Sequence, residues 1–523
     1  MSRFIALICA AVATTACGGS FKNADRSDTG SASPEADLGG GGAGDEQHDT
    51  GDIDDGLGSE DETTERRLRP AATPRAVYIA NADRDTVTRV EVASLAVRTA
   101  PVGARPGAVV TTPDETRALV LNLGSDSLSL LDADTLEGPE VGLRPHLNSL
   151  SLDPAGRWAV VAFQADAGDG EPEADGAQSY NEVSFVRIDD ASHHPRVVGF
   201  SPRAVQFTPD GAQAVLVSDG WLALVDLTGA EPVVTRVRIA ADTVTPPPAE
   251  EVLVTPDGRY AFIRQYGVEA LKLVDLSTGA VSDLEVGANP TDLDLTPDGS
   301  LAVAVCRTSS ELWLYDTADP TAPAVVVPLP RDEIFGSIAM SADGTQALLY
   351  STASGRARYG TWAVGETDPE AVVVRSLVKA VHGVSLSADG GTALVVHDDS
   401  SAGASSDSPF RDHWALTVVS LADHFANPLR LVAEPFAFAS TDDGRSGAFL
   451  MDGQPWLEVI DFETLLTDEV PLRSEARHLG VVPGSRTLWA SQVHELGRIS
   501  FYDIDGGALS TITGFELNAG IEQ

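Results

Sequence analysis

Thr208-Pro209-Asp210-Gly211, Thr255-Pro256-Asp257-Gly258 and Thr296-Pro297-Asp298-Gly299 state one turn three times, and Ser341-Ala342-Asp343-Gly344 and Ser387-Ala388-Asp389-Gly390 continue it. Looser copies stand at Thr112-Pro113-Asp114-Glu115, Asp153-Pro154-Ala155-Gly156, Thr441-Asp442-Asp443-Gly444 and Val482-Pro483-Gly484-Ser485. Successive copies begin 41, 55, 47, 41, 45, 46, 54 and 41 residues apart. Pro presets φ at the second turn position, Asp hydrogen-bonds the backbone ahead of it, and Gly takes a positive φ without steric cost. Short apolar runs flank each copy, as Val252-Leu253-Val254 and Ala261-Phe262-Ile263 flank Asp257, and such runs read as strands. A period in the forties built on strands is the signature of a β-propeller array.

The rest of each unit is equally regular. A polar loop leads to an alternating strand that ends in Asp: Leu128-Ser129-Leu130-Leu131-Asp132, Leu222 to Asp226, Leu271 to Asp275 and Leu457 to Asp461. A fourth strand follows and can finish in Val-Gly-x-x-Pro, as at Val102 to Pro106, Val141 to Pro145 and Val286 to Pro290. The fold class is therefore all-β, a propeller of four-stranded antiparallel blades with about ten repeat modules. That exceeds the usual range of roughly four to eight blades. One large ring, two smaller rings and a smaller ring with decorations are all compatible, and the even composition of residues 76–515 favours a single ring. The module at residues 76–106 lacks a recognisable inner strand, so residues 515–521 are expected to supply it by pairing with Val77 to Ala80.

The segment Val77-Tyr78-Ile79-Ala80-Asn81 with Asp85-Thr86-Val87 resembles the opening of the YVTN-type bacterial β-propeller repeat, and residues 119–132 resemble a second copy. The resemblance covers roughly residues 76–515, nearly all of the folded part. It implies a fold and leaves function open, because that broad class holds surface-layer-like proteins, binding modules and lactonase-like enzymes.

The N-terminus reads as an address. Met1-Ser2-Arg3 precedes a short apolar run, Phe4 to Ala13, which is too short to span a bilayer and reads as a signal peptide over residues 1–16. Thr14-Thr15-Ala16-Cys17-Gly18-Gly19 resembles a bacterial lipoprotein signal, with Thr14 where Leu is usual. The resemblance implies lipidation of Cys17 and, without Asp next to it, an outer-membrane or periplasmic/cell-surface location. Residues 17–70 are an acidic, Gly-rich disordered tether with almost no large apolar side chains, and residues 71–523 are the propeller domain. Of the three cysteines, Cys306 is left in an apolar run and is expected in the core.

The chain carries a net charge of −43, about −35 of it on the propeller. That excludes nucleic acid as a partner and confines membrane contact to the N-terminal anchor. The two longest insertions, residues 166–180 and 398–413, are both second-to-third loops. Strand direction places them on the face of the blade-to-blade connections, opposite the Asp-Gly turns. Their acidic residues, including Asp399 and Asp412 with His413, make that face the candidate ligand face, and calcium the one cation they suggest. Neither loop has the full spacing of an EF-hand. His146, His382 and His478 each stand near the start of an inner strand, where three imidazoles converging on a channel mouth would suit a transition metal.

No Gly-x-Ser-x-Gly, His-Glu-x-x-His or phosphate-cradling loop is present. No catalytic residue is assigned, and Arg105, Arg144, Arg331 and Glu333 sit at blade connections without a motif. The reading is an exported, lipid-anchored, non-catalytic binding or scaffolding module at the cell surface. Its partner would be a protein, glycan or small molecule. The alternative is a lactonase-like or other hydrolase with its site at the channel mouth.

Overall fold

Each Asp-Gly turn is closed by its own side chains. In the copy at Thr208, Gly211 N–H donates to Thr208 O at 2.8 Å and the Thr208 hydroxyl donates to the Asp210 carboxylate at 2.7 Å. Asp210 also accepts Ala212 N–H at 2.9 Å, and the Thr208 oxygen accepts Gln213 N–H at 3.0 Å. Gly211 has φ +64°, which a residue with a Cβ adopts only under strain. The copy at Ser341 makes the same bonds, Ser341 to Asp343 at 2.6 Å and Gln346 N–H to Ser341 at 3.0 Å. Ser replaces Thr there because the turn uses only the hydroxyl.

In the computed structural model, which describes Leu57, Glu60 and residues 70–163, 181–200, 202–218, 220–242, 246–368 and 370–517, these turns join the first two strands of ten antiparallel four-stranded sheets. Blades 1 to 10 span residues 71–101, 106–142, 149–197, 204–238, 249–285, 290–328, 337–376, 383–430, 435–471 and 476–513. Within each sheet the strands lie in sequence order. The second strands are buried along almost their whole length, as in Trp158–Ala162 and Thr392–His397. A blade is covered on both faces by its neighbours, so its middle strands are continuous apolar runs. The fourth strands reach the rim and are mostly exposed, as in Val233–Arg238.

The core is divided among the seams. Nine apolar clusters each combine residues of two consecutive blades, for example Val303, Val305 and Leu314 of blade 6 with Ile338, Leu349 and Trp362 of blade 7. A tenth joins blade 10 to blade 1, with Val482, Trp489, Ile499, Phe501, Ile512 and Phe515 against Val77, Ile79 and Val90. The ten modules thus form one ring.

The closure differs from the expected one. Blade 1 has its own inner strand, Ala71–Ala72, paired as Ala71 with Tyr78 and Ala72 with Val77. The other edge of Ala76–Asn81 is taken by Thr86–Glu91. Phe515–Leu517 is a 3-10 turn, not a strand, and residues 518–523 lie outside the described residues. It seals the seam from the side: Phe515 packs into the tenth cluster, Thr99 donates to Phe515 O at 2.8 Å and Arg84 pairs with Glu516 at 2.7 Å. Thr73-Pro74-Arg75 is the turn of blade 1, with Ala76 N–H on the Thr73 hydroxyl at 3.1 Å.

The Asp-Gly turns form a belt on one face, each seated on the turn before it. A Cβ added to Gly299 would lie 1.9 Å from Pro256, and one added to Gly390 would lie 2.1 Å from the Ala342 backbone nitrogen. Gly484 N–H closes the series on the Asp442 carboxylate at 2.7 Å. The insertion at residues 398–413 lies on the opposite face, against the connection between blades 7 and 8, as strand direction requires. The insertion at residues 166–180 lies outside the described residues.

Candidate functional site

The connection face holds a band of charged groups at successive seams, because the second strand of each blade ends there beside the next blade's first strand. At the seam of blades 5 and 6, Arg264 is 7% exposed and stands next to last in the buried strand Tyr260–Gln265. Its guanidinium pairs with Glu250 at 2.8 Å and Glu251 at 2.6 Å, and donates to Pro290 O at 3.3 Å. Burial opposes its charge, and the two carboxylates more than offset that, raising its pKa. Asp292, in the first strand of blade 6, accepts Ile338 N–H of blade 7 at 2.7 Å.

At the seam of blades 7 and 8 stands Lys379, fully buried by accessible area. Its ammonium donates to His413 O at 2.8 Å and to Asp398 O, so one cation clasps both ends of the 398–413 insertion. Burial lowers its pKa, and the Asp398, Asp399 and Asp412 carboxylates counter that shift. Asp399 and Asp412 are exposed, Asp412 pairs with Arg411 at 3.6 Å, and His413 serves through its carbonyl. This insertion is therefore fixed to the ring, not a loose decoration. Lys379→Met is expected to cost about 2–3 kcal/mol through two lost charge-assisted hydrogen bonds, and to open residues 398–413 to proteolysis. An unchanged cleavage pattern would disprove the clasp.

Beneath the insertion, His397 is fully buried between Ala380 O at Nδ1 and the Thr417 hydroxyl at Nε2, each at 2.7 Å. A carbonyl only accepts, so Nδ1 carries the proton and Nε2 accepts from Thr417. Burial pushes its pKa down to about 4.

The seam of blades 6 and 7 differs from both neighbours, because the carboxylate in it comes from outside the blades. Arg307 follows the second strand of blade 6 (Leu301–Cys306), and Ser351 follows that of blade 7 (Gln346–Tyr350). The side chain of Glu60, 1% exposed, enters between them and pairs with Arg307 Nη1, itself 5% exposed, at 2.9 Å. The Ser351 hydroxyl donates to Oε1 at 2.7 Å. Oε2 accepts Thr352 N–H at 2.7 Å, the Thr352 hydroxyl at 3.0 Å and Ala353 N–H at 3.4 Å. Gly336, just before the first strand of blade 7, makes room: a Cβ there would lie 2.0 Å from Oε1 and 2.6 Å from Cγ. Its backbone is not in the left-handed region, so clearance is the reason for glycine.

The three histidines do not meet. His146 is exposed at the connection of blades 2 and 3, where its N–H binds Asp126 at 2.8 Å. His382 packs edge-on against Trp414 at 5.4 Å, and His478 shares a hydrogen bond with Ser491 at 2.7 Å. Among the described residues no group of three or more His, Cys, Asp or Glu is arranged to hold a metal ion. Arg144 pairs with Glu182, and Glu333 lies 3.7 Å from both Arg356 and Arg358.

Sequence reading missed Arg307 and Ser351. The usable signal was their shared place in the repeat, the first residue after the second strand in adjacent blades.

Comparison with known proteins adds fold and no more. No protein-family profile matches the chain, and no curated protein does. Many solved structures are similar. A eukaryotic initiation factor structure is 10% identical at a TM-score of 0.50, covering 76% of this chain and 97% of that one. The dihydro-heme d1 dehydrogenase NirN is 15% identical at 0.41, covering 71% and 76%. Hydrazine synthase of Kuenenia stuttgartiensis is 16% identical at 0.33, covering 60% and 95%.

Proposed function

We propose that this protein is an exported propeller with repeats of YVTN type, held at the outer membrane by lipid on Cys17, and that it works as a non-catalytic binding or scaffolding module through its connection face. The observation that carries the binding reading is the seam of blades 6 and 7, where donors from two blades converge on one carboxylate that does not belong to the blades. The neighbouring cations Arg264 and Lys379 are satisfied by the ring itself and serve its architecture. The anchor rests on Thr14 to Gly19 and on the polar, acidic stretch between Cys17 and the first blade.

Two experiments test the two halves. A fatty-acid analogue fed to cells should label the wild type and not Cys17→Ser; label on the variant would sink the anchor. For the binding face, Asp399→Cys and Asp343→Cys each create an exposed thiol on opposite faces. Cys306 does not compete, being buried with its thiol pushed up to about 12. A photo-crosslinker on Asp399→Cys should give adducts on intact cells where the same group on Asp343→Cys gives none. Equal yields from the two faces would remove the connection face from consideration.

A further inference from the structure

We propose that the cradle at blades 6 and 7 is a recognition site for a glutamate side chain on an acidic peptide, and that Glu60 occupies it in cis as a stand-in ligand. The inference rests on the binding-module reading above and names the chemistry of its partner. Five donor contacts fall on two oxygens: Arg307 and the Ser351 hydroxyl on Oε1, and two N–H groups with the Thr352 hydroxyl on Oε2. A carboxylate has about four acceptor sites and no donor, so it matches this set. A carboxamide would turn its NH2 against Thr352 and Ala353 or against Arg307 and Ser351, an arrangement that rejects glutamine. Depth selects glutamate over aspartate, since Cγ as well as the carboxyl group fills the space that Gly336 leaves open.

The cradle also differs from an architectural ion pair in how it is assembled. Arg264 takes its carboxylates from the strand beside it, within fourteen residues. The Arg307 pair joins positions 247 apart, and Ser351, Thr352 and Ala353 lie 291 to 293 residues from Glu60. Glu60 precedes the first strand of the ring, which begins at Ala71, so the blades close without it. It is tied to Ala71 by a short stretch of chain, which gives it an effective concentration on the order of millimolar. An external glutamate therefore gains the cradle chiefly when Glu60 gives it up. Site and stand-in together make binding conditional on release of the N-terminal segment.

The test uses the full-length chain and a fluorescein-labelled synthetic peptide with the sequence of residues 55–65. Fluorescence anisotropy should show binding to Glu60→Ala and at least about tenfold weaker binding to the wild type, the penalty of competing with an occupant in cis. A peptide with Gln at the position of Glu60 should bind Glu60→Ala at least about tenfold less, as should the unchanged peptide with Glu60→Ala/Ser351→Ala/Thr352→Val. The three substitutions avoid Arg307, whose removal would strip the seam of its cation, and a cooperative unfolding transition with native circular dichroism verifies that each variant is folded. The proposal falls if Glu60→Ala does not bind the peptide, if it binds no better than the wild type, or if the Gln peptide binds equally well. Should the peptide fail while the Asp399→Cys adducts persist, the cradle is wrong and a partner elsewhere on the connection face stands; the opposite pair of results keeps the cradle and removes a partner beside residues 398–413.

Discussion

Replacing Phe515 by alanine is expected to cost about 3–5 kcal/mol and to loosen one seam of the ring far more than the other nine. Phe515 is 3% exposed, and it is the last large apolar group in the cluster joining blade 10 to blade 1. Gly497 is small to admit it, since a Cβ there would lie 2.5 Å from the ring. No backbone ladder crosses this seam: the strands of blade 10 pair among themselves, as do those of blade 1. Among the described residues, side-chain packing, the Thr99 hydrogen bond, the Arg84 to Glu516 pair and an Arg84 hydrogen bond to Glu495 O at 3.0 Å are what hold it. The exposed ion pair adds little, so the burden falls on Phe515, Phe501 and Trp489. Hydrogen exchange should accelerate first in blades 1 and 10 and last in blades 5 and 6. A loss below about 1 kcal/mol, or uniform acceleration around the ring, would contradict this account.

Stability should fall as pH drops from 6.5 towards 4, and His397 should be the main cause. Its pKa is about 4 in the folded chain against an ordinary 6.5, so over that window the unfolded chain takes up a proton that the native state refuses. The corresponding loss is on the order of 3 kcal/mol at the acid end of the window. His397→Gln should flatten the decline, whatever it does to stability at neutral pH; an unaltered slope would rule His397 out. Below the ordinary aspartate value of 3.8 a second loss sets in. Asp114, Asp210, Asp298, Asp343 and Asp443 all titrate below the usual range because the turns donate to their carboxylates. Their contribution is present above the unfolded value and disappears as each is protonated. Glu458 acts in the opposite sense, since burial raises its pKa.

What could be read from the sequence was what is local. A turn of four residues carries its hydroxyl, its carboxylate and its glycine within one short window, so Thr208 to Gly211 announces itself and so do its copies. The first copy did not, because Thr73-Pro74-Arg75 lacks both Asp and Gly and the strand before it is only Ala71–Ala72. With that strand unseen, the C-terminus looked necessary as a substitute. Phe515 has instead a side-chain role, which no strand pattern predicts. The histidines were grouped because each stood at a similar place in its own blade, yet similar places in distant blades are held apart by the ring. Arg307 and Ser351 escaped for the converse reason. They stand in adjacent blades, and the group that reveals their purpose, Glu60, lies in a stretch whose composition looks unstructured.

The closure has a consequence for how such a ring can change over time. A propeller whose last blade borrows a strand from the far end of the chain is buckled, and its number of blades is locked by that exchange. Here no blade borrows a strand. The ring is a split washer, with matched apolar faces at every gap, and its first and last blades meet at one of them. An in-frame duplication or loss of one unit, 41 to 55 residues long, would move the split without rethreading anything. The gene could therefore add or drop a blade in a single step, and a ring of ten is one stopping point in a series that the chain's own connectivity leaves open.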